Sequence, residues 1–135
     1  MPSVRPIRLA FIIVLVMALL HGLAMTFFLY SFYWWFDLPL HFLGGFCAAL
    51  VSLYFYSFFL SKNVSIINPF IVFVTAIFGA AVVGLAWEIF EYFAGLTFNA
   101  LGNYPFDTAK DLTVDVLGGG AAFLYFLSHG FHKNF

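Results

Sequence analysis

Residues 107–120 hold the most informative stretch of the chain, Asp107-Thr-Ala-Lys110-Asp111-Leu-Thr-Val-Asp115-Val-Leu-Gly118-Gly119-Gly120. The three aspartates recur every four residues, so on a helix they share one face, about one turn apart. They open a run that is otherwise apolar as far as Phe131. Acid at the start of such a run predicts a membrane helix that carries a polar site near one end.

Composition supports a membrane environment. Of the 135 residues, 64% are hydrophobic and 8% are charged, whereas soluble domains average roughly 45–50% and 25%. A soluble domain could not bury this much apolar surface. The net charge is −1 and the chain has no basic run, which excludes nucleic acid as an expected partner. Its length predicts a single transmembrane domain over residues 1–135.

Four apolar segments are each long enough to cross about 30 Å of hydrocarbon. The predicted spans are residues 8–32, 38–60, 69–95 and 111–131. They predict an all-α fold, an antiparallel bundle of four transmembrane helices. The first segment is longer than the roughly 7–15-residue core of a signal peptide, so we expect a retained helix. Asn68 is the expected N-cap of the third helix, with Pro69 at its first position.

Small residues four positions apart predict where these helices approach closely. The pairs are Gly44 with Ala48, Gly45 with Ala49, Ala80 with Gly84, and Gly118 with Ala122. The single Cys47 cannot form an intrachain disulfide, and we expect a small buried side chain.

The distribution of basic residues predicts the orientation. With four spans, Arg5, Arg8, Lys62 and Lys133 fall on one side and Lys110 alone on the other. The positive-inside rule therefore places both termini in the cytoplasm. The loops at residues 33–37 and 96–110 then face outward.

All six acidic residues lie in the outer half of this predicted bundle: Asp37, Glu88, Glu91, Asp107, Asp111 and Asp115. An acid at the centre of a membrane helix costs about 2.5–3.5 kcal/mol, whereas each Leu or Phe contributes only about 0.3–0.6 kcal/mol. Such acids normally face the bundle interior or a wet cavity and mark a functional site.

The sequence spacing predicts three pairs of polar side chains, each pair on one face of a different helix. Asp37 and His41 are four apart, Glu88 and Glu91 three apart, and Asp111 and Asp115 four apart, so each pair shares a helix face. Carboxylates this close need a neutralising partner, which Lys110, protons or a bound cation can supply. Oxygen-rich ligation suits Mg²⁺, Mn²⁺ or Ca²⁺, and the imidazole of His41 also admits Zn²⁺ or Fe²⁺. The candidate metal ligands are Asp37, His41, Glu88, Glu91, Asp111 and Asp115.

Simpler interpretations stay open for several residues. Asp37 is also a suitable N-cap for the second helix. Asp107 fits a cap or loop residue beside Lys110. Glu91 is close enough to the interface for its carboxylate to reach water, and an isolated His21 is typically hydrogen-bonded to a neighbour.

The segment that begins at Asp37 resembles the segment that begins at Asp111. Asp37-Leu-Pro-Leu-His41-Phe-Leu-Gly44-Gly45-Phe46 and Asp111-Leu-Thr-Val-Asp115-Val-Leu-Gly118-Gly119-Gly120 share the pattern Asp-x-x-x-[His/Asp]-x-x-Gly-Gly. Both segments start outside and run inward, which suggests a parallel internal repeat. In such a repeat, His41 and Asp115 would be equivalent residues that face each other.

Three motifs resemble the VanZ-like and YjdF-like families of small bacterial membrane proteins: Asp37-x-x-x-His41-Phe, Glu88-x-x-Glu91, and Asp107-x-x-x-Asp111 followed by Gly118. The third motif is closer to the YjdF-like pattern. VanZ-like chains tend to carry Glu-x-x-Gln, an Arg before the last helix, and Asn at the position of Asp115, none of which occurs here. The resemblance implies a multi-pass protein of the bacterial inner membrane and, for VanZ itself, a distant link to glycopeptide resistance. It implies no established reaction.

Three classes of function fit these residues. In the first, the protein is a metal-assisted enzyme that acts on a lipid or lipid-linked phosphate head group at the outer leaflet. Glu88 or Asp115 would then be general base or metal ligand, and His41 would be ligand or acid–base. The second is a proton- or cation-coupled small carrier, whose pore would need a homodimer. The third is a non-enzymatic membrane binding or stabilising subunit. The sequence leaves open whether the protein is an enzyme.

Overall fold

The architecture comes from a computed structural model, which describes residues 5–60, 68–95 and 104–129. Its helices are α1 (Arg5–Thr26), α2 (Leu29–Phe32), α3 (Asp37–Leu60), α4 (Pro69–Ala94) and α5 (Tyr104–Ser128). The four long helices are each long and apolar enough to cross a membrane, and the described residues contain no strand. The predicted all-α antiparallel bundle of four transmembrane helices is confirmed.

The first predicted span is interrupted near its end. Residues 8–32 were expected to form one helix, but α1 ends at Thr26 and the four-residue α2 follows. Phe28 lies between them in the left-handed region, with a φ of 57°. The turn allows Tyr30 to pack against Ala24 and Leu40 in a small buried cluster. Hydropathy could not show this break, because the residues on both sides of it are apolar.

The last span begins earlier than predicted. We expected its start at Asp111, but α5 begins at Tyr104 and ends at Ser128. The polar first two turns continue the helix, so Lys110 belongs to α5 and not to a loop. Residues 96–103, Lys62, Lys133 and the end of the predicted fourth span, 130–131, lie outside the described part of the chain.

The ends of α4 follow the sequence prediction. The Asn68 side chain caps the helix, because its Oδ1 accepts a hydrogen bond of 2.9 Å from the Phe70 N–H. Pro69 is the first helical residue, where its missing N–H has no consequence. At the other end, Gly95 adopts a φ of 66°, a conformation that glycine takes without steric penalty.

Helices α3, α4 and α5 pack against one another, and α1 packs against α3. Helices α3 and α5 run parallel and meet through glycines. A Cβ on Gly45 would overlap the backbone of Asp115, and a Cβ on Gly118 would overlap the backbone of Phe42. Only glycine therefore permits this separation.

The two ends of the bundle differ in character. Alanines and larger apolar side chains fill the end away from the acids, including Cys47, Leu50, Leu53 and Phe126. The bundle's outer surface is also apolar: Leu19 and Phe78 are 70% and 69% exposed, as expected for side chains that face lipid. We call the opposite end, where α3 and α5 begin and α4 ends, the acidic end.

Candidate functional site

His41 lies at the centre of the acidic end and faces carboxylates on both sides of its ring. Its Nδ1 is 3.3 Å from Asp115 Oδ2. Its Nε2 is 3.4 Å from Asp37 Oδ2, 3.8 Å from Glu88 Oε1 and 4.0 Å from Asp111 Oδ2. The structure thus brings together five of the residues singled out in the sequence, from α3, α4 and α5.

The centre of this cluster is buried. The side chains of His41 and Glu88 are each 4% exposed, and that of Asp111 is 3% exposed. Within the described structure, His41 Nε2 and Glu88 Oε1 have no hydrogen-bond partner. A buried polar atom without a partner costs roughly 1–3 kcal/mol. These two atoms lie 3.8 Å apart, so a proton or a cation shared between them would satisfy both.

Asp115 is held in place by the glycines around it. A Cβ on Gly84 of α4 would overlap the Asp115 carboxylate, and a Cβ on Gly45 of α3 would overlap its backbone. The Asp115 side chain, which is 4% exposed, thus lies in a slot between two helix backbones. Its carboxylate faces His41 Nδ1, as expected if the Asp37 and Asp111 segments are equivalent. A tightly held Asp115 fixes the orientation of the imidazole.

Two residues that the sequence analysis did not single out support Glu88. Thr108 Oγ1 donates a hydrogen bond of 2.8 Å to Glu88 Oε2. The Tyr104 hydroxyl donates one of 3.1 Å to the Glu88 backbone carbonyl. Both lie in the segment that was predicted as a loop. On the observed helix, Tyr104 is seven residues before Asp111, and Thr108 is three residues before Asp111 and seven before Asp115, a helical spacing that would have identified them.

The remaining acids lie at the edge of the cluster. Asp107 accepts a hydrogen bond of 2.6 Å from Lys110 Nζ, so it lies beside Lys110 as predicted, but it lies within α5 and not in a loop. Lys110 Nζ is also 3.3 Å from Asp111 Oδ1, so one cation balances part of the negative charge. Glu91 is partly buried and accepts a hydrogen bond of 2.8 Å from Trp87 Nε1.

His21 does not join the cluster. Its Nδ1 lies 2.8 Å from the hydroxyl of Tyr30, which confirms the prediction that this histidine is hydrogen-bonded to a neighbour. Burial raises the pKa of Tyr30, and the negative charges of Asp37 and Glu91 raise it further. Tyr30 therefore remains a neutral hydroxyl between His21 and the acidic end.

The cluster has the dimensions of a cation site. Single ligand atoms of Asp37, His41 and Asp111 lie within 4.8 Å of one another, and the same holds for His41, Glu88 and Glu91. A tetrahedral ion with bonds of about 2.0–2.2 Å separates its ligand atoms by about 3.3–3.6 Å. The distances from His41 Nε2 to the three nearest carboxylates are 3.4–4.0 Å, so the shortest is already in this range and the longest exceeds it by about 0.4–0.7 Å.

Comparison with known families identifies the chain. The family model described as "Predicted membrane protein (DUF2238)" matches residues 3–131. The chain belongs to this family. DUF2238 is the YjdF-like family, so the match confirms that part of the resemblance, whereas the VanZ-like part remains a prediction. Searches of curated proteins and of solved structures found no match to this DUF2238 chain.

Proposed function

We propose that this DUF2238 protein is a metal-dependent enzyme that acts on the phosphate of a lipid head group. One observation carries the proposal, which is the buried and unpartnered Nε2 of His41. This atom faces carboxylate oxygens of Asp37, Glu88 and Asp111.

The orientation of the imidazole supports a metal ligand. With Nδ1 as hydrogen-bond donor to Asp115, the neutral ring has its lone pair on Nε2, directed at three carboxylates. Such an arrangement is repulsive unless a proton or a cation lies between the atoms. A histidine that binds a metal through one nitrogen almost always donates the other N–H to a carboxylate or a carbonyl. His41 matches this pattern, because its Nδ1 faces the Asp115 carboxylate and its Nε2 faces three other carboxylates.

The proposed roles follow from position. His41, Asp37, Glu88 and Asp111 are the proposed ligands. Glu91 is near enough to complete the set when His41 and Glu88 are used. Asp115 faces the other ring nitrogen, which favours a positioning role for it. Mg²⁺, Mn²⁺, Zn²⁺ and Fe²⁺ all suit this mixture of carboxylate oxygens and one imidazole. When bound by these residues, a divalent ion would supply Lewis-acid chemistry for the hydrolysis of a phosphate ester.

The depth of the cluster supports a lipid head group as substrate. His41 is four residues from the start of α3 and Glu88 is six from the end of α4, which corresponds to roughly 6 and 9 Å along the helices. The head-group region lies at the ends of membrane-spanning helices, so we expect lipid phosphates close to this level. We place this end on the outer face of a bacterial inner membrane, since basic residues prevail at the other end.

Metal content is the first test. Purified wild-type protein and the Glu88→Gln and Asp37→Asn variants would be analysed by mass spectrometry for bound metal and titrated with Mn²⁺ and Zn²⁺. Wild-type protein should bind about one ion, and each variant should bind it at least roughly tenfold more weakly. Asp107→Asn is the matched control, because this acid pairs with Lys110 and belongs to neither ligand group. Metal binding that is equal in all four proteins would refute the site.

Activity is the second test. The metal-loaded protein in nanodiscs of mixed phospholipids would be incubated and the lipids analysed by mass spectrometry. Metal-dependent release or transfer of a phosphate-containing head group is expected for wild type and Asp107→Asn, and not for Glu88→Gln. Ion flux into liposomes without lipid turnover would instead support a cation-coupled carrier.

A further inference from the structure

A cleft of about 410 Å³ lies between α1 and α4, with α3 as its floor. Ala10, Val14 and Met17 of α1 form one wall, and Val83, Gly84 and Trp87 of α4 form the other. Helix α1 packs against α3, and the cleft lies beside this contact, in the space between α1 and α4. Its volume is within the roughly 300–1,000 Å³ that is typical of small-molecule sites.

The cleft has one polar end and an apolar remainder. Asp37, His41 and Asp115 lie at the acidic end, and from there the floor continues along α3 to Val51 and Ser52. The 11 residues from His41 to Ser52 rise about 16 Å along the helix. Half of a hydrocarbon core of about 30 Å is about 15 Å, so the cleft is long enough to extend through one leaflet.

Gly44 keeps the floor open. Unlike Gly45, it is not required for helix packing, because a Cβ at Gly44 would meet only Met17 Cε at 3.5 Å and Asp115 Oδ1 at 4.0 Å, which are ordinary contacts. The neighbouring floor residue Ala48 is also small. Glycine therefore lies in the floor at a position where helix packing alone would have accepted a Cβ.

We propose that this cleft binds one hydrocarbon chain of a membrane lipid, with the lipid's head group at the cluster around His41. The inference rests on the proposed function and specifies its substrate as a lipid recognised by its chain as well as by its phosphate. Helical peptides are too large, since a helix about 10 Å across and 16 Å long occupies roughly 1,250 Å³. A single acyl or prenyl chain is narrow enough, and the apolar lining suits it better than a sugar or a free phosphate.

Photo-crosslinking tests the inference in full-length protein reconstituted in nanodiscs. The probe is a phosphatidic acid that carries a diazirine in the middle of one acyl chain, and labelled peptides are mapped by mass spectrometry. Wild-type protein should be labelled preferentially at cleft residues such as Val51 and Val83. Equal labelling of lipid-facing residues such as Leu19 and Phe78 would overturn the proposal.

Matched variants narrow the cleft without changing the cluster. Val83→Phe and Val14→Phe add bulk on opposite walls, and each should reduce cleft labelling about tenfold. Val82→Phe and Val16→Phe are the controls, because these valines have similar exposure, 48% and 44%, against 51% and 50% for the two wall residues. The two walls are tested independently, so unchanged labelling in either wall variant that folds would overturn the proposal.

Metal binding, measured in the same proteins, separates this inference from the proposed function. Val83→Phe should lose cleft labelling and keep its metal. Cleft-specific labelling in a protein that binds no metal would support the chain site and refute the metal-dependent enzyme. Metal binding without cleft-specific labelling would refute the chain site and leave the metal site standing.

Discussion

Replacing Gly45 with alanine should separate α3 from α5. In the structure, the added Cβ would lie 2.6 Å from both the Cα and the carbonyl carbon of Asp115 and closer still to the carbonyl oxygen. Ordinary contacts begin at about 3.4 Å, so the two helices must move apart by at least about 0.8 Å. The opposing atoms belong to backbone, and no change of side-chain rotamer can relieve the overlap.

The magnitude follows from two opposing effects. Overpacking of a close interface typically costs about 1–3 kcal/mol, and a rigid backbone contact belongs at the upper end. Alanine also favours a helix over glycine by about 1 kcal/mol. We therefore expect Gly45→Ala to lower the free energy of unfolding by about 2 kcal/mol. Gly120→Ala is the matched control, because a Cβ at that helical glycine meets nothing within 4 Å and should raise stability by up to about 1 kcal/mol.

Unfolding in mixed micelles by a denaturing detergent, followed by circular dichroism, would measure both variants against wild type. The expected difference between Gly45→Ala and Gly120→Ala is about 3 kcal/mol. If Gly45→Ala proved as stable as Gly120→Ala, α3 and α5 could not approach each other as closely at Asp115 as the structure shows. The Asp115 carboxylate would then not be confined between two helix backbones.

Three further predictions concern side chains around the site and at a helix end. Thr108→Val removes the hydrogen bond to Glu88 and should weaken metal binding by about 10-fold or more, measured by titration calorimetry. Thr113→Val is the control and should bind metal like wild type, because it loses only an exposed hydrogen bond within its own helix. Asn68→Ala removes the cap of α4 and should lower the free energy of unfolding by about 0.5–2 kcal/mol, measured as above; no loss would contradict the cap. The pKa of Tyr30 is raised from its ordinary value of 10.0, so the folded state binds the phenolic proton more tightly than the unfolded state does. The free energy of unfolding of the wild type should therefore fall as the pH rises above about 10. Tyr30→Phe should reduce that fall, and equal pH profiles of unfolding for the two proteins would contradict it.

The sequence alone was sufficient for the fold class and for the composition of the cluster. Helix-length apolar runs are a local property, and each run must satisfy its own backbone in lipid, so the four spans could be predicted one at a time. The convergence of Asp37, Glu88 and Asp111 followed from the same logic. Acids are expensive in lipid, and an alternating topology brings the ends of three helices to the same level.

Tertiary structure decided how the side chains of the cluster are arranged. The break at Phe28 and the early start of α5 at Tyr104 depend on packing, since apolar content does not locate a turn and polar content does not end a helix. Sequence spacing placed His41 beside acids, but it could not show that Nδ1 faces Asp115 while Nε2 is directed at three other carboxylates. The cleft between α1 and α4 could not be predicted either. It depends on the distance between two helices, and the pattern of apolar residues along the sequence does not determine that distance.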